Sequence, residues 1–290
     1  MPDLRDILAG AYYWTTRPWR SAWNRQAAAA LRAPVMVLYY HRIADDRATP
    51  WTLDHRTFFD QLNWLRDRFD MISLDEARRR IVSGNRRPAI SITFDDGYAD
   101  NSFSAIPWMI ERHIPCTYFV TLKNLLTGEP FEHDRRLGYR FRPNTVGQIC
   151  EMAEAGIEIG GHTYSHPCLG GTPDEAVLDR EIVAARSELE RLLNYPVRYF
   201  AFPFGQRKNL SAAAFSAARQ AGFDAVCSAY GGYNFPGDDP FHLQRIAVDQ
   251  RFSRLRNWVT ADPRKLRTPR FDLGTSAADQ ALAVEEAVSC

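Results

Sequence analysis

The feature that most constrains this chain is an alternation, repeated about seven times, of short apolar strand-like runs with helical patterns. The runs fall at 35–40, 89–95, 116–121, 157–160, 197–202, 224–228 and 243–248. Each is too short for a helix and rich in strand formers. Strands separated by helices are joined by crossovers, so they lie parallel with the helices outside. At 290 residues the chain can bury one large core, and a closed or nearly closed barrel suits that length better than two open sheets. The barrel is expected over 34–260, with a helical arm over 1–33 before it and a loosely ordered tail over 261–290 after it.

Local patterns fill in the helices. Phe58, Leu62, Leu65 and Phe69 recur at helical spacing behind Asp54, a natural cap. Ser73 and Glu76 form a capping box, and Gly84 marks where that helix stops. Thr172, Pro173 and Glu175 are expected to start a third helix, with Leu178, Ile182, Ala185, Leu189 and Leu192 as its buried stripe. In the run 89–95, Ile90, Ile92 and Phe94 share the face expected to meet the helices. Segments 125–143 and 231–240 are polar and broken by Gly and Pro, and read as loops, the first of them near the site.

Lys and Arg (36) nearly cancel Asp and Glu (35), so nothing calls for a nucleic acid or an acidic polymer as partner. Five cysteines with no CxxC spacing read as reduced thiols. Charges spread through the first thirty residues leave no signal-peptide core and no membrane span, which gives a cytoplasmic expectation. Within that arm Tyr12, Tyr13, Trp14, Trp19 and Trp23 are interleaved with arginines. Two readings stand: the arm lies flat on an anionic membrane surface as a peripheral contact, or it packs across the barrel floor.

Reactive groups of such barrels sit where strands end, because the loops there converge over the open mouth. Here one strand ends in Asp95, Asp96 and Gly97, another leads to His162 and His166, and a third to Pro203, Phe204 and Gly205. Two imidazoles and one carboxylate are the three ligands that leave a metal an open position, and zinc fits that set best. A second, adjacent carboxylate can serve as a base toward metal-activated water. Alone, paired aspartates before glycine are more often a turn, and HxxxH more often a surface helix. Their joint appearance at strand ends is harder to ascribe to chance.

These residues resemble a family. Thr93, Phe94, Asp95, Asp96 and Gly97 match the TFDDG motif of the NodB-like polysaccharide deacetylases, carbohydrate esterases that act on N-acetyl groups. His162, Thr163, Tyr164, Ser165 and His166 match their HTxxH motif, and 200–205 resembles their third motif. The resemblance implies a single distorted (β/α) barrel and hydrolysis of N-acetyl groups on an amino-sugar-containing carbohydrate. It implies Asp95 as base, a divalent metal on Asp96, His162 and His166, and the backbone N–H of Phe204 at the oxyanion.

Two departures shape the rest. Many members tether the catalytic aspartate with an arginine where this chain has Ala201, and the late strand lacks the histidine that serves them as acid. A circularly permuted branch, resembling the exopolysaccharide N-deacetylases, carries the acid on the first strand, and His41 looks like that residue. We therefore expect His41 to protonate the leaving amine and Arg245 to orient Asp95, since barrel closure brings the two ends of the sequence side by side. Tyr98 is open to two roles, packing on a sugar or in the core. His55, His113, His133 and His242 read as surface or loop residues, with His133 and Asp134 near substrate. The rival readings are a hydrolase of another amide or an O-acetyl ester, and a carbohydrate-binding homologue with little turnover.

Overall fold

The computed structural model describes residues 4–272. Eight parallel strands follow one another around a single sheet in the order His242–Leu243, Ala225–Cys227, Tyr199–Ala201, Glu158–Gly161, Cys116–Val120, Ala89–Phe94, Val35–Tyr40 and Arg245–Ala247. A ninth, Asp70–Met71, pairs with Ala89–Phe94 off this path. The two ends of the row are chain neighbours with Gln244 between them. His242 and Leu243 register with Val226 and Cys227, whereas Arg245, Ile246 and Ala247 register with Val37, Leu38 and Tyr39. One passage of chain thus seals both edges of the sheet and nearly closes the barrel. The expected count of about seven meets eight, the last two being halves of one run.

Two apolar shells hold the barrel. Met36, Leu38, Tyr40, Ile90, Ile92 and Phe94 belong to the cluster shared with the surrounding helices, as the alternation in 89–95 predicts. Val35, Val37, Ala89, Ala201, Ala225 and Cys227 form the inner cluster, together with Leu74, Ala77 and Ile81 of the helix Leu74–Ser83. That helix closes the floor. Ser73 caps it by accepting from the Glu76 amide, the Glu76 carboxylate turning to Arg79 and Arg80 rather than completing the expected capping box, and it ends at Gly84 as expected. Asp54 likewise caps His55–Arg66.

Three expectations are corrected. The third helix starts at Glu175 rather than at Thr172. Asp174 is its cap and accepts from the Ala176 amide, which leaves Pro173 outside the helix. Segment 125–143 is not a plain loop, since Leu122–Thr127 and Glu132–Arg136 are helical. Nor does the N-terminal arm cross the floor. Its helix, Leu4–Ala29, lies against Phe252–Trp258 and is held there by polar contacts. The buried Arg20 donates to the Asn257 and Thr260 carbonyls, and Tyr12 donates to Asp262.

Beyond the barrel, Ala261 and Asp262 are buried and Phe271 stacks on Phe215. The rest of the expected tail, with Cys290, lies outside the described residues. Cys116, Cys150, Cys168 and Cys227 are free thiols.

Candidate active site

Two tight turns build the site. The strand Ala89–Phe94 runs into a three-residue turn in which the Gly97 amide donates to the Asp95 carbonyl at 2.9 Å, with Asp96 at its centre at φ 72°. After Tyr199–Ala201 the Gly205 amide donates to the Pro203 carbonyl at 2.6 Å, with Phe204 at φ 60°. Thr163 (φ 65°) and His166 (φ 64°) also lie in the left-handed region. Side chains rarely adopt that region, a β-branched one least of all, and strain of this kind collects at functional sites. The neighbouring chain holds it in place. Thr121 donates its amide to the Asp96 carbonyl, Leu122 to that of Thr163 and Lys123 to that of Tyr164.

The turn sends the adjacent carboxylates in different directions. Asp96 Oδ1 lies 3.5 Å from His162 Nε2 and 3.3 Å from His166 Nε2. His162 donates from Nδ1 to the Ala201 carbonyl at 2.8 Å. A carbonyl only accepts, so that nitrogen carries the proton and the neutral ring turns a bare Nε2 toward Asp96. Asp96 Oδ1 is buried without a hydrogen-bond partner. Lone pairs facing one another in a buried pocket call for a cation. Among the described residues these three are the group whose ligand atoms converge, within 4.8 Å of one another. A tetrahedral ion with ligands at ~2.0–2.1 Å sets them about 3.3 Å apart, close to the observed spacing.

Asp95 points the other way. Arg245 grips it with both arms, Nη1 to Oδ1 at 2.6 Å and Nη2 to Oδ2 at 2.8 Å, while its Nε donates to the Ser228 carbonyl and its Nη1 to Thr93. Arg245 is fully buried behind the carboxylate. Burial raises the Asp95 carboxyl, yet Arg245 brings it below its ordinary value, so it is ionised at neutral pH.

His41 lines the same cavity of about 230 Å³ as Asp95, Asp96, His162, His166 and Phe204. Its carbonyl is held by Asn101 Nδ2 at 2.7 Å, and burial pulls its imidazole below the usual value against Asp96 and Asp95. The Phe204 ring meets that of His166 with centroids 5.0 Å apart. A groove of about 490 Å³ lined by Arg5, Tyr39, His41, Trp51 and Arg254 adjoins the cavity through Tyr39, His41 and Trp51.

Tyr98 does not reach the cavity. It is fully buried between Phe131 and Phe141, and its hydroxyl donates to Asp134 at 2.9 Å and meets His133 Nε2 at 2.7 Å. The sugar-stacking role is therefore corrected: Tyr98 positions the two residues that follow Phe131 and Glu132. His133 comes within 3.7 Å of Asp96 Oδ2 and lines the cavity. Burial lowers its imidazole to about 4, and burial raises Asp134 to about 6. His242, expected at the surface, is buried against Ser228 and Phe215.

Sequence reasoning missed Trp51 and Glu181. Trp51 donates to Asp134 at 3.0 Å and walls the cavity. Glu181, fully buried, accepts from the Ser165 amide at 2.7 Å and hydroxyl at 2.8 Å, while its carbonyl takes the Tyr164 amide. It sits in a π-helical stretch, Asp179–Ala184. The available signal was a glutamate three residues after Leu178, on the buried stripe of its helix.

Fold and site define a parallel barrel whose chemistry gathers at the C-terminal ends of its strands. The comparisons make the class specific. The Polysaccharide deacetylase family model matches residues 83–226. YxkH of Bacillus subtilis (strain 168), assigned as a polysaccharide deacetylase, is 25% identical over 190 residues, which make up 64% of this chain and 61% of that protein. The match thus spans less than two thirds of that relative. The Streptococcus pyogenes deacetylase PplD, solved with acetate, superposes with a TM-score of 0.65 at 20% identity over 79% of this chain and 98% of that one. IcaB from Ammonifex degensii gives 0.62 at 26% identity over the same shares. Residues 83–226, just under half of the chain, thus match the polysaccharide deacetylase family.

Proposed function

We propose that this protein hydrolyses the N-acetyl amide of an amino-sugar-containing saccharide, releasing acetate and a free amine. The observation that carries this reading is the division of labour between neighbours, Asp96 facing two imidazoles and Asp95 facing Arg245. A divalent ion held by Asp96, His162 and His166, zinc being the one this donor set favours, would supply Lewis acidity to the acetyl carbonyl and acidify water. Asp95 takes the proton from the attacking water. Arg245 occupies one lone pair on each of its oxygens, leaving others free and the plane of the group fixed. The Phe204 amide donates to the oxygen on which negative charge develops. The proton that Asp95 has taken is relayed through His41, which lines the same cavity, to the departing nitrogen, so the C–N bond breaks with amine rather than amide anion as leaving group. Tyr39 and Trp51 offer aromatic faces to the sugar where the cavity meets the groove.

Acetate release from N-acetylglucosamine oligomers, acetylated xylan and simple amides, with and without chelator, tests the reading. Release from the oligomers, lost with chelator and restored by zinc, is expected. Release from xylan alone would make the protein an O-acetyl esterase, and no release from any substrate with metal restored would leave a binding protein.

A further inference from the structure

The N-terminal helix turns most of its large apolar side chains away from the body of the protein. The side of Leu4–Ala29 that faces the body is mixed: Ala27 is buried and Trp23 meets Phe235, while Asp6 receives a hydrogen bond from Ser253, Tyr12 reaches Asp262, and Arg20 is buried against Asn257 and Thr260. The opposite side carries Leu4, Ile7, Leu8, Trp14 and Trp19, which are 67%, 52%, 61%, 57% and 46% exposed. At 3.6 residues per turn these positions share an arc of roughly 140°. Ala11, Pro18 and Ala22 fall on that arc too and are exposed, and Thr15, Arg25 and Gln26 are the polar residues within it. An apolar stripe normally faces the core, and one this long facing outward marks a surface that something covers.

Charge says what covers it. The helix has four arginines against one aspartate, and the adjoining helices Phe252–Trp258 and Pro263–Leu266 add Arg254, Arg256, Arg264 and Lys265 with no carboxylate. Arg17 and Arg256 stand over the Trp14 ring at 5.0 and 5.9 Å, at the border of the apolar arc. We propose that this helix docks the protein flat on an anionic lipid surface, its leucines and tryptophans at the headgroup boundary and its arginines among the phosphates. No described helix is long and apolar enough to cross a membrane, so the helix lies in the surface rather than through it. Its first turn adjoins the groove, which Arg5 lines together with His41. The docked face therefore lies beside the entrance to the catalytic cavity.

The test is co-sedimentation of the full chain with vesicles of phosphatidylcholine and phosphatidylglycerol at about two to one, against pure phosphatidylcholine. We expect binding to the mixed vesicles at low salt, about tenfold weaker on the neutral ones and released by raised salt. Leu8→Glu combined with Trp14→Glu touches exposed positions only, and is expected to lose about tenfold or more of the bound fraction with an unchanged melting temperature. Wild-type protein left in the supernatant with anionic vesicles would overturn the proposal. So would a variant that sediments like the wild type, or a wild-type dimer that the variant converts to monomer, which would give the face to a second copy of the chain.

Discussion

Asp95 and Asp96 are chemically identical and adjacent, and differ only in what their shared turn points them at. Asp95 meets a guanidinium in a two-pronged bond, so its geometry rests on the planar fork as much as on the charge. Arg245→Lys keeps the charge and loses the fork. Turnover is expected to fall on the order of a hundredfold through misplacement of the base, with bound metal unchanged by elemental analysis. An equal loss of metal would assign Arg245 to the metal site instead. His41 is separable in the same way, because its ring lines the cavity while Asn101 holds only its backbone. His41→Ala should keep the metal and the fold and lower kcat by roughly two to four decades. A kcat at the wild-type level would remove it from the reaction.

Among the elements, the loop 162–166 depends on a helix that lies outside the cavity lining. Glu181 ties the Ser165 amide and hydroxyl, and the irregular turn Asp179–Ala184 frees its carbonyl for the Tyr164 amide. π-Helical turns gather at functional sites because they open backbone groups that a regular helix would consume. Glu181→Gln keeps the volume but turns an amide nitrogen toward Ser165. Metal affinity, read by competition with a chromogenic chelator, is expected to drop roughly 10–100-fold, while turnover at saturating metal recovers. The loop and its ligands were legible in the sequence because His162 and His166 follow a strand at fixed spacing, whereas Glu181 was not, since its role depends on how two distant elements pack. Capping shows the same divide. Ser73 and Asp54 were legible from local hydrogen bonding, but Thr172 competed with Asp174, and the nearer carboxylate capped the helix. Tyr98 and His133 sit on opposite sides of a thirty-odd-residue separation that no periodicity reports.

In the molecule as a whole, closure decides both the active site and the response to acid. The alternation of strands and helices predicts a barrel, but it does not say that 242–247 pairs with the preceding strand Ala225–Cys227 through its first half and with the first strand through its second. That seam brings Arg245 to Asp95, and it also buries His242, which contacts Ser228 Oγ at 2.9 Å and packs against Phe215 and Tyr230. Burial, then Arg270 and Arg207, push the His242 imidazole down to about 3 from 6.5. A base whose folded value lies below its unfolded one gives stability that is complete above the unfolded value. That stability drains away as pH falls from about 6.5 toward about 3, because the unfolded chain takes up the proton first. The slope approaches about 1.4 kcal/mol for each pH unit in the middle of that window. His242→Gln retains a partner for Ser228 and cannot be protonated, so its stability should decline less steeply than that of the wild type between neutral pH and the acid limit. Urea unfolding of metal-stripped protein at a series of pH values measures the difference. Parallel curves for the two proteins would mean that the seam opens to solvent readily enough for His242 to titrate in the folded state.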